Sequence, residues 1–184
     1  MALVTPAVRI RRATPDDAEV LAELAERIFL DTFAAQNKRE DIELHVKRRY
    51  AAEIQRRELE QPEKTYLIVE ADGVPVGFAF LGKAESRSCL DFAAPIELFR
   101  FYLDKAWHGA GIAQALMVAC EDEARSRGGR TICLSVWEHN PRAIRFYEKT
   151  GFRDAGTQPF LLGEDVQTDR LMVRDLAVVG IPVA

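Results

Sequence analysis

The chain holds only three cysteines and three histidines in 184 residues. Cys89, Cys120 and Cys133 are odd in number and share no close spacing, which argues against a disulfide framework and against a zinc cluster. They read instead as buried thiols of a cytoplasmic protein. The three histidines are too scattered for a metal site, so no metal is expected; His45, in a highly charged segment, is expected in water. Basic residues are not in excess: 25 Lys and Arg against 29 Asp and Glu give a net charge of −4, which argues mildly against a nucleic-acid partner. No apolar stretch approaches the roughly 20 residues that cross a bilayer, and Met1–Pro6 lacks the basic flank and apolar run of a signal peptide. Neither internal repeats nor low-complexity linkers divide the chain, so a single domain over residues 1–184 is expected.

What is present is an alternation of strand and helix patterns. Val8 to Arg11 reads as a first strand. Thr14-Pro15-Asp16-Asp17 supplies a helix start, and Leu21, Leu24, Ala25 and Ile28 recur at helical spacing, giving a helix over 15–35. One or two charged helices follow between Glu40 and Gln61. Strands at 65–71 and 75–82 flank the hairpin signal Asp72-Gly73, the second expected to be half-buried because Val76, Phe78 and Phe80 alternate with small residues. A strand at 94–103 leads into Trp107-His108-Gly109-Ala110-Gly111-Ile112-Ala113-Gln114, and a helix with the stripe Ile112, Leu116, Cys120 follows. Ile132, Leu134 and Val136 mark another strand. Asn140-Pro141 opens a late helix that ends at Gly151, and two strands near 153–161 and 169–175 close the chain. Together these predict an α+β fold: a mostly antiparallel sheet of six to seven strands with helices on both faces.

The loop at 107–114 is the most informative stretch. Glycine admits close backbone approach, and a helix N-terminus offers unpaired N–H groups and a positive dipole end, so strand, glycine loop and helix make a place to hold phosphate. Packing alone also uses glycine at such turns. No Gly-Lys-Ser/Thr follows, which argues against a P-loop nucleotide site.

Taken with Phe101-Tyr102-Leu103 and with the segment from Asn140 to Phe152 (Asn-Pro-Arg-Ala-Ile-Arg-Phe-Tyr-Glu-Lys-Thr-Gly-Phe), the loop resembles the GNAT superfamily of acyl-CoA-dependent N-acetyltransferases over roughly residues 8–175. Gly111 and Ala113 match the last two fixed places of that family's loop pattern; His108 stands where Gln or Arg is usual. A narrower likeness, carried by Ile28–Phe33 with Gln36-Asn37, Val136–Asn140 and Gly163–Asp169, is to PaiA-type spermidine/spermine N-acetyltransferases.

The resemblance implies acetyl-CoA as co-substrate and direct transfer to a primary amine, possible acceptors including a polyamine. Backbone of Phe101, Tyr102 and Leu103 would pair with pantetheine. Main-chain donors of Gly109, Ala110, Gly111, Ile112 and Ala113 would cradle the pyrophosphate, with His108 beside them at the cofactor, and Asn140 would meet the pantetheine amides or merely cap its helix. Tyr147 matches the family tyrosine that donates a proton to the leaving sulfur, while its place in a stripe with Ala143 and Phe146 suits packing. The amine presents the harder problem. An ammonium with pKa near ~10.4 leaves about one molecule in a thousand nucleophilic at neutral pH, so its proton must be removed. Glu97 is the candidate base, placed by strand alternation on one face with Phe99 and Phe101. Asp31, Glu164, Asp165 and Asp169 are candidate acidic contacts. Other open readings are acetylation of a peptide, antibiotic or amino-acid amine, and a non-catalytic acyl-CoA sensor. Homodimers are frequent in the superfamily, but no residue here marks an interface.

Overall fold

The computed structural model describes residues 6–176; almost all of the stretch read for a signal peptide lies outside them. β1 (Val8–Arg12) passes through a 3-10 turn into α1 (Ala18–Phe33), followed by α2 (Arg39–Arg49) and α3 (Ala52–Leu59). β2 (Lys64–Ala71) and β3 (Val74–Lys83) form a hairpin whose turn residues Asp72 and Gly73 have φ of 51° and 80°, as a two-residue turn of the I′ kind requires. Then come β4 (Pro95–Leu103), α4 (Ile112–Ser126), β5 (Thr131–Trp137), α5 (Pro141–Lys149) and the hairpin of β6 (Arg153–Leu162) and β7 (Asp165–Asp175). The strands form one sheet in the order β1-β2-β3-β4-β5-β7-β6. Only β4 and β5 run parallel. This is the helix-flanked, mostly antiparallel α+β arrangement expected.

Each face of the sheet carries its own core. On one, Leu21, Leu24, Ala25 and Ile28 of α1 pack with Ile68, Phe78 and Phe80. On the other, Ile112, Leu116 and Cys120 of α4 pack with Leu67, Val69, Leu81 and Ile132. Burying a leucine, isoleucine or phenylalanine in such a layer contributes about 1.5–3 kcal/mol, so these stripes hold the helices in place. The half-buried reading of β3 is corrected: Val76–Gly82 is buried throughout, because helices cover both faces of this central strand.

Three further expectations are revised. The β3–β4 register slips between Phe80↔Arg100 and Leu81↔Leu98, leaving Phe99 as an extra residue. Simple alternation therefore fails in β4: Phe99 packs on the α1 side and Phe101 on the α4 side. His45 is not in water. It is buried, stacked 4.7 Å from Phe29, and burial together with the charges of Arg49 and Arg100 pushes its pKa down to about 4. Finally, Cys89 and Cys133 are joined in a disulfide, contrary to the reading of free thiols. The segment between β3 and β4 folds back over β5 and brings residues 44 positions apart to a Cα–Cα distance of 6.0 Å, a pairing with no local spacing to announce it. Cys120 remains a free, buried thiol.

Candidate active site

Pairing of β4 with β5 stops at Leu98↔Leu134, so residues 99–103 have no strand partner on that edge. The divergence opens a cavity of about 550 Å³ lined from both faces of the sheet. At one end stand Ala113 and Gln114 of α4 with Tyr147 of α5 and its N-cap Asn140. The other is walled by Phe29 and Phe33 of α1, Trp137 of β5, Phe160 of β6 and Asp169 of β7.

The loop entering α4 is shaped by its backbone. Asp104 accepts a hydrogen bond from the Ala106 N–H at 3.1 Å, and the His108 ring nitrogen Nε2 lies 2.9 Å from the Leu103 carbonyl oxygen. Gly109 and Gly111 have φ of 84° and 79°. A Cβ at either would meet no atom within 4 Å, so it is the left-handed conformation, not crowding, that calls for glycine. Gly111 is the N-cap of α4 and brings no side-chain cap. The first-turn N–H groups of Ile112, Ala113 and Gln114 therefore face outward at the positive end of a fifteen-residue helix. α5 differs: the Asn140 side chain accepts from the Ala143 N–H at 3.2 Å.

Of the residues singled out in the sequence, Phe101, Tyr102, Leu103, His108, Gly109, Ala113, Asn140 and Tyr147 line the cavity. Ala110, Gly111 and Ile112 complete the same loop and helix start without lining it. Glu97 is elsewhere. Its carboxylate accepts from the Glu85 and Ser86 N–H groups, both at 2.8 Å, and from the Ser86 hydroxyl. It is buried, does not line the cavity, and ties down the segment that carries Cys89.

Tyr147 is buried, in edge contact with Phe101, Phe146 and Phe152. Burial raises its hydroxyl above the ordinary tyrosine value, so it stays protonated at neutral pH and can donate. Across the cleft, Phe33 meets Trp137 edge-on at 5.9 Å. Among the acids proposed as contacts, Asp169 alone lines the cavity; Asp31, Glu164 and Asp165 are exposed outside it. Asp169 is 6 % exposed, its Oδ1 has no hydrogen-bond partner among the described residues, and burial, reinforced by the Glu138 charge, pushes its pKa up to about 6. Sequence reasoning gave no sign of the Tyr50–Tyr102 hydroxyl pair at 2.7 Å, or of Arg100 bridging to Glu58 at 2.8 Å. Both are long-range pairings between helices and sheet that no local spacing records.

Residues 21–152 match the Acetyltransferase (GNAT) family, and the chain belongs to that family. It is an acetyl-CoA-dependent N-acetyltransferase. Over 118 residues, spanning 64% of this chain and 71% of the relative, it is 38% identical to an uncharacterized N-acetyltransferase of Mycobacterium bovis. A spermidine N(1)-acetyltransferase of Thermoplasma acidophilum is 25% identical over 150 residues, 79% of this chain and 88% of that protein. The crystal structure of a PaiA N-acetyltransferase from Thermoplasma acidophilum in complex with coenzyme A superposes with a TM-score of 0.77 at 25% identity, covering 92% of this chain and 99% of that one.

The residues present fit such a co-substrate. The free edge of β4 offers main-chain donors and acceptors to an amide-bearing arm, and the uncapped first turn of α4 offers N–H groups to a diphosphate. Among the described residues no group of three or more His, Cys, Asp and Glu could hold a metal ion, and no helix is long and apolar enough to cross a membrane.

Proposed function

We propose that this chain acetylates a primary amine of a small cationic acceptor, spermidine and spermine among the candidates, by direct transfer within a ternary complex. The observation that carries the reading is the single cleft joining two unlike ends. At one end are the uncapped α4 N-terminus and the unpaired β4 edge; at the other are aromatic walls around a buried carboxylate. Two partners entering from opposite faces of the sheet meet in the gap between β4 and β5, with no need for a covalent acyl-enzyme.

Acetyl-CoA supplies an acyl carbon activated as a thioester. The chain does the rest. In this reading the β4 edge at Phe101, Tyr102 and Leu103 orients the pantetheine arm, and Asn140 caps α5 beside it. The N–H groups of Gly109, Gly111, Ile112 and Ala113 hold the diphosphate, while that of Ala110 donates to the Trp107 carbonyl. Tyr147, kept protonated by burial, supplies a proton to the departing sulfur, a step for which general acids contribute roughly 10²–10⁴-fold. Phe29, Phe33, Trp137 and Phe160 exclude water and offer aromatic faces to an alkylammonium chain. The name of the Thermoplasma acidophilum relative, a spermidine acetyltransferase, supports the polyamine class.

Release of free thiol from acetyl-CoA tests this directly. Purified protein given spermidine, spermine, simple diamines and peptide N-termini in parallel should release thiol with the small di- and polyamines well above the rate with peptides. Equal or greater rates with peptides would move the acceptor to a protein amine. Absence of release with every amine would remove the catalytic reading.

A further inference from the structure

We infer that Asp169 receives the ammonium group of the acceptor and takes its proton, so that Asp169, and not Glu97, is the proton acceptor of the transfer. The inference rests on the amine-acetyltransferase reading above and names the residue that would handle its least favourable step.

Two carboxylates compete for the role, and their surroundings differ. Both oxygens of Glu97 are engaged, by two main-chain N–H groups and a hydroxyl of one loop, and it does not line the cavity. Asp169 lines the cavity, is 6 % exposed, and leaves Oδ1 without a donor. A buried carboxylate oxygen without a partner is unfavourable on its own, and an incoming cation with N–H donors completes it. The backbone fixes its place. Asp169 lies between Trp137 on β5 and Gln158 on β6 in the strand register, so its position is set by two ladders and not by a loop. The tryptophan beside it gives the methylene chain and charge of an alkylammonium a face to lie on.

Titratable groups face Asp169 from several elements, and His139, which also lines the cavity, packs edge-on against Trp137 and lies 3.9 Å from the Glu138 carboxylate. Glu138, just past β5, raises the proton affinity of Asp169, and Tyr102 of β4 feels its charge. Tyr50 is engaged with the Tyr102 hydroxyl, and Arg100 of β4 is committed to Glu58 and Tyr66. His45, behind Phe160, is neutral at pH 7. Tyr147 lines the far side as an acid, not a base.

The ammonium nitrogen gives up two protons in becoming an amide. The first passes to an Asp169 carboxylate oxygen and then to solvent, which frees the lone pair that forms the C–N bond as the C–S bond breaks. The Tyr147 hydroxyl gives a proton to the sulfur, and the second nitrogen proton, relayed through solvent, restores it. One proton is released per turnover.

The test compares wild type with Asp169→Asn and Glu97→Gln, using spermidine as acceptor and two readouts. The first is the pH profile of kcat/KM. Wild type should show an acid limb with an apparent pKa near 6, Glu97→Gln should keep that limb, and Asp169→Asn should lose it along with at least about 10²-fold of its rate. The second is calorimetric binding of spermidine to protein saturated with free CoA, which needs no turnover. Asp169→Asn should weaken it at least tenfold while CoA affinity stays within about twofold. An unchanged acid limb and unchanged spermidine affinity in Asp169→Asn would overturn the inference, as would loss of the limb in Glu97→Gln alone. If wild type acetylates no amine, it is the amine-acetyltransferase reading that fails.

Discussion

Asp169→Asn also makes a prediction about the empty protein, independent of any substrate. An ordinary aspartate titrates near ~3.9, whereas burial and the Glu138 charge hold Asp169 at about 6. A pKa raised in the folded state means that folding favours the protonated form, so the group's contribution is fully present below about pH 4 and is lost as the pH rises through about 6. Above pH 7 the charged carboxylate therefore weighs against the fold. At 1.36 kcal/mol per tenfold the gap corresponds to about 3 kcal/mol, and solvent reaching the cavity reduces this to about 2 kcal/mol. The asparagine is nearly isosteric and carries no charge. It should stabilise the unliganded protein by about 2 kcal/mol at pH 8, by less at pH 6, and not at all at pH 4. For a chain of this length that corresponds to a rise in Tm of about 4–8 °C at pH 8. Urea denaturation of both proteins at the three pH values measures it. A variant that is equally stable to wild type at pH 8, or whose advantage over wild type is no larger there than at pH 4, would refute the claim that an unpartnered carboxylate is buried in the cleft.

Other outcomes follow from the same geometry. Tyr147→Phe should lower kcat roughly 10²-fold while leaving the Kd for acetyl-CoA within about threefold; parallel loss of both in steady-state and binding measurements would assign Tyr147 to packing. Gly111→Val forces a branched side chain to φ 79°, costing about 1–2 kcal/mol of stability, and should raise the acetyl-CoA Kd at least tenfold by displacing the first turn of α4. Glu58→Gln strips the counter-charge from the buried Arg100 guanidinium and should destabilise the fold by about 3 kcal/mol in chemical denaturation.

Much of the fold was legible because it is written in local periodicity. Leu21, Leu24, Ala25 and Ile28 repeat at helical spacing and all face the sheet, and Asp72-Gly73 adopts the conformation its composition announces. The positive φ of Gly109, Gly111 and Gly151 is legible for the same reason: glycine takes that backbone conformation at the lowest cost. The misreadings are long-range. A bulge at Phe99 reverses the facing of half of β4, and nothing between Ile96 and Leu103 signals it, since it is set by pairing with β3. Cys89 meets Cys133, and His45 enters an aromatic cluster, only because distant elements converge. The same holds for the site. The glycine loop and the start of α4 form a local motif and read directly, whereas the opposite end of the cleft is assembled from α1, β5, β6 and β7, so the sequence does not distinguish Asp169 from Glu164 or Asp165.

The most direct measurement is isothermal titration of acetyl-CoA, and of free CoA, into the folded protein. One site per chain, with binding lost or sharply weakened in Gly111→Val, is the expected result. Titrations that give no heat of binding for either molecule, with a protein shown to be folded, would contradict the assignment of the β4 edge and the α4 N-terminus to the co-substrate.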